Sequence, residues 1–531
     1  MSGEEPLQLG ARPRRVVPVG LVRLAETVGA AAAQPDVVVT GVTHDSRAVR
    51  PGDCYAALPG ARTHGARFVG EAAAAGAVAV LTDDEGAAHL ASAGVRLPSL
   101  VVPDARAAMG PLAAEVYGHP ADDLLMVGVT GTNGKTTVVH LVESVLRAAG
   151  RRCGLVGTVE TRVGDVRVAS VRTTPEASDL HALLGLMREA GLDTCVMEVS
   201  SHALVLGRVG GVVFDVAGFT NLSQDHLDFH HDMATYFAAK ASLFTPARSR
   251  RGCVVVDDAW GQRLVAEAAV PVEAVVTSVA ADPQPPADVA AWRVVDARAE
   301  DGRGTRTLTV RTPRGATLVV RPPLPGLFNE ANAALAVALA AAAGVPAEEA
   351  AAAVATAPGV PGRMETVPGR PGQDPLVVVD YAHTPDAVTM ALDALRPPAG
   401  GRLLVVLGAG GDRDRAKRPA MGAAAARGAD LVVVTDDNPR SEDPAAIRAA
   451  LLQGARTAAG EPGARPVEVL EVADREEAVG AAIMRAEAGD VVLVAGKGHE
   501  QGQEVAGRVQ PFDDRAVSRQ WLARRAEEAT P

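Results

Sequence analysis

The stretch Thr130-Gly131-Thr132-Asn133-Gly134-Lys135-Thr136-Thr137 constrains this chain more than any other. An apolar run of strand length at 124–129 precedes it. Val138, Leu141, Val142, Val145 and Leu146 follow at helical spacing, and Gly150 stands where a helix stop is expected. A glycine-rich turn between a buried strand and a helix N-terminus presents successive backbone N–H groups that can hold phosphate oxygens. In such a loop Lys135 reaches the outer phosphates and the Thr136 hydroxyl takes Mg²⁺. The strict pattern wants glycine at position 129, where this chain has valine, but the Gly-Lys-Thr core and the strand–turn–helix context are intact.

A chain of 531 residues leads one to expect about three domains, each able to bury its own core. The expected divisions are 1–120, 121–359 and 360–531. A net charge of −12 and the lack of a basic run argue against nucleic-acid binding. Cys54, Cys153, Cys195 and Cys253 are too scattered for a disulfide framework or a zinc site, which fits a reduced cytosol. No apolar run reaches the ~18 residues of a membrane span, and no leader-like apolar core follows the N-terminal arginines. The expectation is a soluble cytoplasmic protein. The chain has only four lysines, Lys135, Lys240, Lys417 and Lys497, with arginine supplying the other basic residues. Each lysine is therefore a candidate for work a guanidinium cannot do, such as a compact phosphate contact or amine chemistry.

In the first unit 37–39 and 77–81 read as strands. The polar stretches 43–47 and 51–53 could form a small-molecule pocket or well-capped turns, and their spacing favours turns. In the second, 194–197 is a strand ending at Glu198, and 213–219 is another leading into Asn221-Leu222-Ser223-Gln224-Asp225-His226-Leu227-Asp228. Ligands of doubly wound parallel sheets gather at the C-terminal strand ends, where the phosphate loop, Glu198 and His226 all fall. Glu198 can serve as a helix cap and His226 as a hydrogen-bonded loop residue, but beside a phosphate loop the two suit a metal. Cys253 opens a further strand, 270–323 reads as peripheral β structure and loops, and an alanine-rich helix follows Phe328. In the third unit strand-like runs recur at 376–379, 403–407, 431–434, 467–470 and 491–494, mostly separated by helical stretches. Gly408-x-Gly410 after a strand hints at dinucleotide binding, but Arg413 stands where the third glycine belongs, which rejects it.

Together these motifs resemble the Mur ligases, the ATP-dependent amide-forming family of peptidoglycan synthesis, over nearly the whole chain. Residues 130–137 are similar to that family's own phosphate loop, which accounts for Val129. Glu198-Val199-Ser200-Ser201-His202 and the stretch 221–228 look like further signatures. Asp437-Asn438-Pro439-Arg440 resembles the diaminopimelate-recognition motif of the family's tripeptide-synthetase branch. The resemblance implies an α/β protein of three domains: a smaller N-terminal α/β domain for the UDP-substrate, a central phosphate-loop ATPase with a parallel sheet, and a C-terminal Rossmann-like domain for the amino acid. It implies that Gly131, Thr132, Asn133, Gly134, Lys135, Thr136, Thr137, Asn329, Arg363, Asp380 and His383 serve ATP. Ser46, Thr173, Thr174, Ser200 and Arg208 would hold UDP-N-acetylmuramoyl-L-alanyl-D-glutamate. Arg413, Asp437, Asn438, Pro439, Arg440, Gly496 and Glu500 would hold diaminopimelate. Lys240 resembles the family's carbamylated lysine, which with Thr136, Glu198 and His226 would bind Mg²⁺. Lys135, Glu198, His226 and Lys240 form the implied catalytic set. Arg62 and Leu206 depart from the family pattern in the substrate pocket. A monomer acting on ATP, the UDP-linked dipeptide and diaminopimelate is the resulting expectation.

Overall fold

The structure is a computed structural model that describes residues 10–31, 36–60, 63–169, 172–279, 283–299, 305–397 and 400–528. Arg62 lies outside them. Three sheets organise the chain, each with its own apolar core.

The first sheet has four parallel strands in chain order, Gly41–Thr43, Asp53–Ala56, Ala79–Thr82 and Ser99–Val101. The expected strand at 37–39 is the short Val38–Val39, paired antiparallel with Val19–Gly20. The polar run at 51–53 is half turn and half strand. Asp53 opens a buried strand because Arg12 Nη1 donates to its Oδ1 at 2.5 Å and the Arg50 N–H to its Oδ2 at 2.8 Å. A charge-assisted pair of this kind makes a buried carboxylate tolerable.

The central sheet has eleven strands. Seven run parallel, in the order Cys153–Val156, Thr194–Glu198, Leu125–Thr130, Val216–Phe219, Gly252–Val255, Val272–Val276 and Ala291–Ala299. The strand before the phosphate loop is thus flanked by the strands that end at Glu198 and Phe219. Val129 pairs with Glu198 on one side and Gly218 on the other, and it is fully buried. A strand residue inside the core favours valine over glycine there. Residues 270–323 are less peripheral than their pattern suggests. Val272–Val276 and Ala291–Ala299 continue the parallel run, and Arg306–Arg311 and Thr317–Val320 close its edge antiparallel. Helices cover both faces, Lys135–Ala148 and Leu327–Ala342 on one and Ala177–Glu189 on the other. Val138, Leu141, Val142, Val145 and Leu146 are all buried, and Gly150 ends the first helix at φ +86°.

The third sheet runs Glu365–Val367, Leu376–Asp380, Val491–Ala495, Leu403–Leu407, Leu431–Val434, Glu468–Glu471, parallel except for its first strand. All five strand-like runs of the sequence are here. No helix among the described residues is long and apolar enough to cross a membrane.

Candidate active site

Strand C-terminal ends of the second and third sheets face one cleft of about 2720 Å³, counted out to its open mouth. At one end lies the phosphate loop. Gly131 (φ +143°) and Gly134 (φ +85°) are left-handed, and a Cβ on them would run into Thr220 Oγ1 and Asn332 Oδ1 respectively. The loop is braced from behind. Thr132 N–H donates to Asn221 O at 2.9 Å and Asn133 N–H to Asn221 Oδ1 at 3.0 Å. The helix that starts at Lys135 has no side-chain cap, so its first N–H groups remain for a ligand. Lys135 Nζ folds back onto Gly131 O and Thr132 O, each at 2.9 Å. Burial lowers its pKa, against the pull of Glu198 and Asp225.

Glu198 ends its strand beside the loop. Its Oε1 accepts the Thr158 N–H at 2.7 Å and its Oε2 the Thr158 hydroxyl at 3.1 Å, and that hydroxyl meets Thr173 Oγ1 at 2.9 Å. His226 holds a left-handed backbone (φ 54°), and its ring lies 4.8 Å from that of His202. Partial desolvation in the cleft lowers the His226 pKa, although Asp225 opposes it, so at neutral pH the half-exposed ring is neutral with a lone pair to offer. Glu198, His226 and Thr136 line the cleft, whereas Lys240 does not. It is buried behind the loop, with Nζ donating to Gly131 O at 2.7 Å and standing 4.6 Å from the Tyr236 ring centroid. Burial, and then the Lys135 charge, hold its pKa well below the ordinary lysine value. No group of three His, Cys, Asp or Glu side chains among the described residues could hold a metal. The Glu198 carboxylate and the Thr136 hydroxyl are the hard oxygen donors Mg²⁺ prefers, a neutral imidazole is a softer one, and such ions take their remaining ligands from phosphates and water. The residues present therefore fit Mg²⁺ as an incomplete protein site.

Thr173, Thr174, Ser200 and Arg208 also line the cleft. Thr174 Oγ1 donates to Glu198 O at 2.8 Å, and Ser200 caps the helix Ser201–Val205. Arg208 pairs with Glu176 at 2.9 Å. Leu206 ends that helix and is not part of the lining. Ser46 sits in a 3₁₀ turn capped by Asp45, away from the cleft.

From the third sheet, Arg363 Nη2 donates to Thr136 Oγ1 at 3.2 Å, with its guanidinium 4.5 Å from the Tyr381 ring. Asp380 is committed to backbone, accepting from Met364 N at 2.7 Å and Ala382 N at 2.8 Å, and burial raises its pKa. His383 Nδ1–H donates to Tyr381 O at 2.8 Å, and burial, with Lys417, lowers its pKa. Asn329 Nδ2 donates to Pro325 O at 2.7 Å, while its Oδ1 takes Asn332 Nδ2 at 3.1 Å.

The far end gathers Arg413, Asp437, Asn438, Arg440, Gly496 and Glu500. The glycines at 408–411 serve loop-on-loop packing, since a Cβ at Gly411 would run into the Pro439 carbonyl. Arg440 (φ 52°) donates from Nη1 to Gly411 O at 2.7 Å and lies 3.4 Å from Glu504. Arg413 is exposed and makes no hydrogen bond or ion pair among the described residues. Asn438 Nδ2 donates to Glu500 Oε2 at 2.7 Å.

The sequence did not single out Thr158, His202, Asp225, Asn332 or Tyr381 as site residues, although all line the cleft. Thr158 and Asp225 follow parallel strands, so the strand-end rule could have found them. The four lysines converge here. Lys135 and Lys417 line the cleft, while Lys240 and Lys497 bond to residues that shape it.

Three family descriptions match the chain: "Mur ligase family, catalytic domain" over residues 38–117, "Mur ligase middle domain" over 129–340, and "Mur ligase, glutamate ligase domain" over 362–498. The chain is 56% identical, over 96% of its length and 97% of the relative's, to the UDP-N-acetylmuramoyl-L-alanyl-D-glutamate--2,6-diaminopimelate ligase of Streptomyces coelicolor. It is 48% identical to the protein of the same name from Corynebacterium glutamicum, with 93% of each covered. A solved structure of a ligase with that name superposes at a TM-score of 0.65 and 31% identity, covering 97% of this chain and 100% of that one. A MurF ligase from Thermotoga maritima in complex with ADP shares the fold at a TM-score of 0.58 and 18% identity, covering 93% of this chain and 99% of that one.

Proposed function

Because the chain belongs to the Mur ligase family, we propose that it joins 2,6-diaminopimelate to the D-glutamate γ-carboxylate of UDP-N-acetylmuramoyl-L-alanyl-D-glutamate, at the expense of ATP, in cytoplasmic peptidoglycan precursor synthesis. The observation that carries this reading is the single cleft with a phosphate loop at one end and Asn438, Arg440, Arg413 and Glu500 at the other. The three domains divide at 120/121 and 359/360, and the protein acts as a monomer.

Phosphates of ATP lie on the helix N-terminus and Lys135. The γ-carboxylate attacks the γ-phosphorus and the bond to ADP breaks, leaving an acyl phosphate. The diaminopimelate amine then attacks the acyl carbon, phosphate leaves, and the amine gives up a proton. The protein's work is positioning and charge neutralisation. Thr173, Thr174, Ser200 and Arg208 hold the dipeptide end. Arg440 and Arg413 meet the distal carboxylate of diaminopimelate, and Glu500 and Asp437 the distal ammonium. Thr136, Glu198, His226 and carbamylated Lys240 would hold Mg²⁺, which supplies neutralisation of phosphate charge. A neutral Lys240 amine forms the carbamate by adding its nitrogen to the carbon of CO₂ and releasing one proton. Its buried position beside Lys135 supports the neutral form.

The test is ADP release with the UDP-linked dipeptide and meso-diaminopimelate, LL-diaminopimelate or L-lysine. Release that depends on one diaminopimelate isomer is expected. Release with lysine alone would overturn the role given to Arg440, and release that needs no acceptor would point to a nucleotide-hydrolysing switch.

A further inference from the structure

One ion at the acceptor end has no part in the steps above. Lys497 is fully buried, and its Nζ donates to Asn438 Oδ1 at 3.0 Å and Glu500 Oε2 at 3.1 Å, with Asp437 Oδ1 at 3.9 Å. The Glu504 N–H donates to the same Asn438 oxygen at 2.9 Å. Two donors occupy the two lone pairs of that oxygen, so the amide cannot flip. Its NH₂ must point the other way, one hydrogen to Glu500 Oε2 at 2.7 Å and the other left for the cleft. Glu500 Oε2 in turn takes both Lys497 and Asn438, which turns Oε1 away from them. The pocket is thereby divided. Asn438 Nδ2, Arg440 and Arg413 offer donors, and Glu500 Oε1 and Asp437 offer acceptors. That division matches an α-amino-acid head group, a carboxylate and an ammonium on one carbon. Flanking Gly496 (φ +113°) and Gly498 (φ +53°) are so close-packed that a Cβ would lie 2.5 Å from Asp437 Oδ2 and 2.6 Å from Gly362 O.

We infer that Lys497 is a positioning residue that fixes the donor–acceptor polarity of this pocket, and so selects an acceptor whose far end carries an amino-acid head group. The inference rests on the function proposed above. A purely structural ion pair would brace the strand end without bearing on which acceptor is used.

The experiment is Lys497→Met in the full chain, with ADP release measured for diaminopimelate and for L-lysine at high concentration, and with binding of a non-hydrolysable ATP analogue. The KM for diaminopimelate is expected to rise ~10-fold or more, the scale of a hydrogen bond to a charged group. The slow rate with lysine, which keeps the distal ammonium but lacks the carboxylate, should fall less, and the analogue affinity should stay as in wild type. Preference for diaminopimelate then shrinks. Unchanged diaminopimelate kinetics, or an equal loss with both acceptors, would overturn the inference. If the variant does not bind the analogue, a wild-type crystal structure with diaminopimelate decides. A distal carboxylate on Asn438 Nδ2 with Lys497 still on Oδ1 sustains the inference, and a carboxylate directly on Lys497 Nζ ends it. Wild-type ADP release that ignores diaminopimelate would remove the acceptor assignment itself, a failure distinct from a silent Lys497→Met.

Discussion

Lys240 and Lys497 are buried to the same degree, 1% and 0% exposed, behind opposite ends of one cleft, yet their neighbours differ in sign. Lys240 meets a carbonyl it shares with Lys135 and an aromatic ring, and it makes no ion pair with a carboxylate among the described residues. Lys497 meets Glu500, Asp437 and the Asn438 oxygen. At Lys240 burial penalises the ammonium and the Lys135 charge adds to the penalty. The neighbours set what each lysine can do. Where they are cationic, the amine is driven toward its neutral, nucleophilic form. Where they are anionic, a fixed ammonium can organise other side chains. A chain that otherwise uses arginine has kept lysine at both places, and at Lys240 the amine chemistry is work a guanidinium cannot do.

The sharpest way to break this contrast is Lys240→Arg. Guanidinium cannot add CO₂, so ADP release should fall by ~10²–10³-fold, the scale of losing one preorganised electrostatic partner at the reacting centre. Binding of an ATP analogue should persist, since the helix N-terminus and Lys135 remain. Near-wild-type release from this variant would show that the neutral amine has no role.

Next in size is Arg440→Ala at the other end. A site built to pair a charged group rejects a mismatched ligand strongly, and here the defect is on the protein's side, so the KM for diaminopimelate should rise ~10²-fold. The KM for ATP should not change. A parallel rise in both would mean that the two ends are not separate sites.

How far the sequence reached follows the same division between local and distant causes. The phosphate loop, the strand-end motifs and all five third-sheet runs were legible because each is carried by a dozen or so contiguous residues with its own periodicity. Strand Asp53–Ala56 was not, since its leading carboxylate is buried only by virtue of Arg12, far away in the chain. The strands of 270–323 read as peripheral because nothing local reveals that Val272–Val276 pairs with Gly252–Val255. In the site, residue types were legible and their posture was not. Lys240 lies behind the loop instead of in the cleft, Asp380 is taken up by backbone N–H groups, and Ser46 stands apart. Lys497 was visible as a rare lysine, but its role depends on Asn438, from another loop, and Glu504, from the strand Gly502–Val505.

A smaller effect would sharpen the boundary between the ends. Arg363 reaches from the third sheet to Thr136 Oγ1 at 3.2 Å, on the phosphate side only. Arg363→Ala should raise the KM for ATP by ~10-fold, as expected for one hydrogen bond near charged phosphates, and leave the KM for diaminopimelate alone. The opposite split, measured in the same ADP-release assay, would place Arg363 with the acceptor end.

Least effect on activity is expected from His181, where burial is the largest influence. It is fully buried away from the cleft, its Nε2–H donates to Gly210 O at 2.9 Å, and its Nδ1 has no partner. Burial pushes its pKa from 6.5 down to about 4, with the Gly210 bond opposing. Between those values the unfolded chain binds a proton that the folded chain refuses. The folded state therefore keeps its full stability above about pH 6.5 and loses it as the pH falls toward 4, by up to about 3 kcal/mol from this one group. His181→Gln, which keeps a donor for Gly210, should flatten that decline in melting experiments across pH 4–7 while leaving ADP release at neutral pH unchanged. An equally steep decline in the variant would assign the acid sensitivity to other groups.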